Sequence, residues 1–124
     1  MEKMRTLVLA GILSAIPLFA FDAVTDAAKK KVADGKYEEA IADLEAAYKK
    51  DPKPVEVKKA LAGAHFAQGS ATMTNAQMPP MRKYPASLRS FRKTLEFDPN
   101  HAEAKANIKT IEDIYKSMGR PVPQ

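Results

Sequence analysis

Two histidines, His65 and His101, and no cysteine are the only candidates for neutral-pH proton transfer or soft metal ligation by nitrogen or thiolate in these 124 residues. His65 falls on an apolar helical stripe and His101 follows Asp98-Pro99-Asn100 just ahead of a helix start, so neither has a second ligand or a nucleophile at a useful spacing. The lack of cysteine excludes thiol catalysis, zinc fingers, disulfide staples and a lipidated Cys. Met73, Met78 and Met81 offer soft thioether sulfur of the kind copper(I) takes, but their spacing is irregular and no His or Cys accompanies them. Filling of uneven apolar surface is the expected role. Glu38, Glu39, Asp43 and Glu45 lie on the outer side of a helical pattern and do not converge. No glycine-rich phosphate loop follows a strand, and no strand pattern exists to carry one. The residues point to binding without catalysis, with no cofactor and no metal.

Charge narrows the partner. Lys and Arg exceed Asp and Glu to give +5, yet the basic residues are interleaved with acidic ones and Lys29-Lys30-Lys31 is the only run of three. A basic stripe on a nucleic-acid-binding module is not visible, so the expected partner is a protein and not a nucleic acid.

The elements that carry these residues are written twice. GKYEEAIADLEAAYKKDP, residues 35–52, is echoed by RKYPASLRSFRKTLEFDP, residues 82–99. Tyr37, Ala40, Ile41, Leu44, Ala47 and Tyr48 form one stripe of a 3.6-residue helix, and Tyr84, Ser87, Leu88, Phe91, Thr94 and Leu95 repeat it. Asp51-Pro52 and Asp98-Pro99 stop the two helices, since proline lacks the amide donor and disfavours helix before it. Ahead of each copy runs another amphipathic segment, Val24 to Val32 leading to Gly35, and Val57 to His65 leading to Gly69. Each unit reads as helix, glycine turn, helix, Asp-Pro stop. A last helix follows with Ala104, Ile108, Ile111, Tyr115 and Met118 on one face, ended by Gly119, Pro121 and Pro123. One hairpin cannot bury its apolar face alone, so such units stack and need a closing helix. The fold class is all-α: antiparallel helix-turn-helix repeats in a solenoid, with a C-terminal capping helix.

Gly35 through Tyr37, Ala40, Ile41, Leu44, Ala47 and Pro52, with Leu61-Ala62, His65 and Gly69, resemble the tetratricopeptide repeat family over roughly residues 22–119. The boundaries expected are repeat 1 over about 21–54, repeat 2 over about 55–101 and the capping helix over about 102–119. Two departures stand out. Lys31 replaces the usual aromatic, which suits a terminal repeat, and Tyr84 follows Gly69 by 15 positions where Tyr37 follows Gly35 by two, an insertion of 13 residues near 70–83. That segment is expected to prolong the helix past Gly69 through Met78, with a turn forced at Pro79-Pro80.

The resemblance implies a concave surface on the first helix of each hairpin that holds a segment of another protein. Carried over position by position, it names Asp22, Thr25, Lys29, Glu56, Lys59, Gly63, Phe66, Ala106 and Thr110. Some family members grip a C-terminal carboxylate with Lys, Asn and Arg; here Thr25, Ala60 and Glu103 stand at relevant places, so that clamp is missing. Lys29, Lys59 and Phe66 are the expected groove contacts, and Met78, Pro79, Pro80, Met81 and Arg82 of the insertion are the alternative contact surface. A small array offers a small groove, so membership of a larger assembly or self-association is expected.

Residues 1–20, MEKMRTLVLAGILSAIPLFA, set Lys3 and Arg5 before an uncharged run to Phe21, the pattern of an export signal cut after Ala20. The same stretch through Val24, if kept, is an N-terminal anchor bringing membrane contact. The function these readings give is an exported, non-catalytic protein-interaction adaptor in the periplasm; the alternative is an accessory subunit of a membrane complex on the outer face of the inner membrane.

Overall fold

The computed structural model describes residues 18–124, which form five α-helices and, among the described residues, no strand. The helices are α1 (Leu18–Ala33), α2 (Tyr37–Lys50), α3 (Val55–Met73), α4 (Pro80–Phe97) and α5 (Ala102–Ser117). All but the end of the leader expected over residues 1–20 lies outside the described residues; the expected cut after Ala20 falls within α1. No helix among the described residues is long and apolar enough to cross a membrane.

Each helix end has a local cause. After α1, Gly35 adopts φ +78°, its N–H donates to Val32 O (3.0 Å) and Lys36 N–H donates to Lys31 O (2.8 Å). Gly119 closes α5 the same way at φ +66°, with Gly119 N–H on Lys116 O (3.0 Å) and Arg120 N–H on Tyr115 O (3.0 Å). Both are Schellman closures, which need a residue free to enter the left-handed region. At the Asp-Pro stops the carboxylates add a bond of their own: Asp51 Oδ1 accepts from Lys53 N–H (3.0 Å) and Asp98 Oδ1 from Asn100 N–H (3.2 Å). The intervening proline has no N–H to compete, so Asp-Pro stops each helix and also turns the chain.

Three sequence expectations are corrected. Gly69 is not a turn; it lies inside α3, buried against α4, where a Cβ would meet Phe91 Cε1 at 2.8 Å. Helix α3 ends at Met73 and not Met78, because Thr74 Oγ1 donates back to Ser70 O (2.9 Å) and Asn75 Oδ1 accepts from Gln77 N–H (2.9 Å), which diverts the backbone from the helix. Pro79-Pro80 then starts α4 and does not form the turn: Pro79 is the extended N-cap and Pro80, already at a helical φ, is the first helical residue. The insertion therefore lengthens both helices of the second hairpin, to 19 and 18 residues against 14 for α2.

Packing follows the stripes. Phe21, Ala28, Ala40, Ile41, Leu44, Ala47, Val57, Leu61 and Ala64 make one buried cluster among α1, α2 and α3. Leu88, Phe91, Ala104, Ile111 and Tyr115 make a second between α4 and α5, closed by Phe66, Met73 and Tyr84. Phe97 ties the two layers, with its ring edge-on to Tyr48 (5.5 Å) and parallel to His65 (6.0 Å). The small positions of the second stripe are fully enclosed, and their hydroxyls bond back along the helix: Ser87 Oγ to Lys83 O (2.7 Å) and Thr94 Oγ1 to Ser90 O (3.1 Å). Met118 leaves the α5 stripe and is exposed, since the helix closes at Ser117.

Candidate functional site

A groove of about 330 Å³ runs between α1 and α3. Its floor is Ala28, Val32, Leu44 and Ala60; its rim carries Lys29 from α1 and Glu56 and Lys59 from α3. Gly63 keeps it open, since a Cβ built there meets nothing within 4 Å. Of the run Lys29-Lys30-Lys31, Lys31 alone is paired among the described residues, bonded to Asp43 and 3.9 Å from Glu39 on α2. The Asp43 hydrogen bond raises the Lys31 ammonium above its usual range, more than its partial desolvation lowers it. Lys29, Glu56 and Lys59 have no ion partner among the described residues. The groove therefore presents two ammonium groups and a carboxylate, none of them ion-paired among the described residues, over an apolar bed.

The other expected groove residues divide. Asp22, Ala106 and Thr110 are exposed and do not line this groove. Thr25 is buried, 4% exposed, with its hydroxyl donated to Asp22 O (3.0 Å), so it cannot reach a ligand. Phe66 is half-buried outside the groove, 4.6 Å from the His101 ring and 5.7 Å from Phe91. It joins α3 to α4 and to the start of α5. His101 is the α5 N-cap, its Nδ1 accepting from Ala104 N–H (3.2 Å), which satisfies an otherwise orphaned helix donor.

The insertion residues form a separate surface. Met78, Met81 and Arg82 border a depression of about 290 Å³ completed by Pro85, Ala86 and Arg89 of α4. Pro79 and Pro80 are exposed beside it as helix cap and first turn. No residue lines both this depression and the α1–α3 groove. Sequence reading missed Pro85, Ala86 and Arg89, although the bias of α4, with Arg82, Lys83, Arg89, Arg92 and Lys93 against Glu96 alone, was there to be read.

A tetratricopeptide repeat family model matches residues 31–72, the end of α1, all of α2 and nearly all of α3. That stretch is similar to a tetratricopeptide repeat. It contains Val32, Leu44, Glu56, Lys59, Ala60 and Gly63, so most of the groove lies within the matched stretch, and helix-on-helix packing continues through α4 and α5. Tetratricopeptide repeats are typically protein-interaction modules. No curated protein and no solved structure matches the chain.

Proposed function

We propose that the chain is a non-catalytic adaptor of the periplasm that holds a segment of another protein in the α1–α3 groove. The observation that carries this reading is the juxtaposition of Lys29 and Lys59, both without ion partners among the described residues, over the apolar floor that Gly63 leaves uncovered. Export is supported by the basic start and uncharged run of residues 1–20. Binding derives from burial of an apolar side chain on Ala28, Val32 and Ala60, with the two ammonium groups fixing the direction of an acidic side chain. Crosslinking in intact cells with the wild type and with Lys29→Glu/Lys59→Glu tests it. Partners lost from the double variant support the groove; unchanged recovery removes it.

A second reading, an accessory subunit of a membrane complex held by an uncut N-terminus, is favoured by one feature: α1 runs without a break through Ala20 and Phe21, and Phe21 is part of the core. The intact mass of the protein from cells decides between them, a loss of the first 20 residues favouring the adaptor and a full chain in the membrane fraction favouring the subunit.

A further inference from the structure

Helices α2 and α4 both pack on α3 but splay from each other, and α3 is exposed at the bottom of the gap. The result is a channel of about 370 Å³ with Glu38 of α2 on one side, Arg89 and Lys93 of α4 on the other, and His65, Gln68 and Thr72 of α3 beneath. Met78 closes one end, and there Met78, Ala86 and Arg89 also line the depression of Met81, Arg82 and Pro85, so the two spaces are continuous. Neither shares a residue with the α1–α3 groove.

We infer that this channel is a second docking surface, taking an acidic protein segment that carries an apolar side chain. Charge complementarity sets the partner. Arg82 and Arg89 are seven residues apart on one face of α4, both exposed, and neither has a carboxylate within 4.0 Å among the described residues. Lys93 continues the row and is bonded to Glu96 (3.0 Å). From Arg82 to Lys93 the row extends about 16 Å at the helical rise, enough for four or five residues of extended chain. Arg120, from the chain after α5, lies at the outer end with Nη1 3.2 Å from Met81 Sδ.

Apolar anchors lie along the same row. Met81 is 61% exposed, and Met78, Pro85 and Ala86 surround the depression beside it. Pro85 has no N–H, so the Met81 carbonyl lacks its helical donor and is available to a partner's backbone. In the floor, His65 is 93% buried and its Nε2 has no hydrogen-bond partner. A flat anionic bilayer does not fit: Glu38 stands on the opposite wall, and a planar surface would meet the rims without reaching Met78 or His65. A peptide chain can enter, match its carboxylates to Arg82 and Arg89, and keep its uncharged side toward Glu38.

The test uses the full chain and a short fluorescein-labelled peptide of Glu, Leu and Ser, beside its Lys-for-Glu counterpart and vesicles of phosphatidylglycerol in phosphatidylcholine. Anisotropy is expected to report binding of the acidic peptide only, weakened about tenfold or more by Arg82→Glu/Arg89→Glu and less by the Gln pair. Circular dichroism checks that both variants keep their helices. Glu38→Gln should tighten binding, and Lys29→Glu/Lys59→Glu should leave it unchanged, which separates this surface from the groove. Equal binding of both peptides, indifference to the arginine changes, loss in the lysine variant, or arginine-dependent binding to vesicles alone would each overturn the inference. So would an arginine-dependent dimer in sedimentation without peptide, since the occupant would then be a second copy.

Discussion

Gly69 of α3 lies so close to Phe91 of α4 that a methyl group there would be 2.8 Å from Cε1 and 3.0 Å from Cδ1 of the ring, with Ser90 Cβ also at 3.0 Å. Phe91 is fully enclosed and cannot swing away. Gly63, two turns earlier in the same helix, faces open space. Alanine favours helix over glycine by up to about 1 kcal/mol at either site, whereas overpacking a filled core costs about 1–3 kcal/mol. Gly63→Ala is therefore expected to stabilise by about 0.5–1 kcal/mol and Gly69→Ala to destabilise by about 1–2 kcal/mol. Urea midpoints of the two variants should move in opposite directions; a shared direction would mean that α3 and α4 are not in this close contact.

His65 stacks on Phe97 with the rings 6.0 Å apart and 4° from parallel, its Nε2 enclosed and unpartnered. Burial pushes the imidazole below its ordinary value of 6.5; Glu45 and Glu96 pull it upward and Lys93 downward, but desolvation is the largest effect. The folded protein thus resists a proton that the unfolded chain accepts. Stability should be level above the unfolded value and fall as the pH drops below about 6.5, until the folded-state value is passed. Denaturation midpoints between pH 7.5 and about 5.5, above most carboxylate titration, check the sign, and His65→Leu should flatten that segment. A midpoint that rises on acidification would require a carboxylate partner for Nε2 that the fold does not provide.

Among the described residues Phe21 is the first anchor of the first cluster, 6% exposed, beside an open apolar edge of about 510 Å³ that includes Ala20, Val24, Ala27 and Ala46. Truncation of a buried Phe usually costs about 3–5 kcal/mol, and with water on the outer side Phe21→Ala should cost about 2–3 kcal/mol. A chain beginning at Phe21 keeps this anchor, and one beginning at Val24 does not. Thermal unfolding of the two truncated chains should place the second several degrees lower.

The sequence carried the repeat because its signals are short-range and periodic: the spacing of Ala40, Ile41, Leu44 and Ala47 dictates a buried stripe, and Asp51-Pro52 dictates its end. The second hairpin was harder to read. Gly69 and Gly35 look alike in a string, yet one is needed for a left-handed turn and the other for a missing side chain, and only the neighbour Phe91 distinguishes them. Pro79-Pro80 likewise suits a turn or a helix start, and the Asn75 turn before it decides. Lys29 and Lys59, placed on one side of their helices by register, line one groove. Phe66 lies outside it, because its tilted contact with His101 depends on where α5 begins, a contact across 35 positions that no local pattern encodes. The arginine row on α4 was hidden by averaging charge over the whole chain.

Gly63 also gives the sharpest handle on the groove. A side chain there enters empty space between Lys59 and Ala60 on one side and Ala28 and Lys29 on the other, so it fills the binding volume without disturbing the core. Gly63→Leu is expected to leave the urea midpoint equal or higher, because leucine is a strong helix former, while abolishing recovery of groove partners from crosslinked cells. Binding of the acidic peptide in the α2–α4 channel should be unaffected by the same change. A Gly63→Leu protein that unfolds early would show that α1 approaches α3 more closely than this groove allows, whereas a stable variant that still recovers its partners would transfer binding to another face.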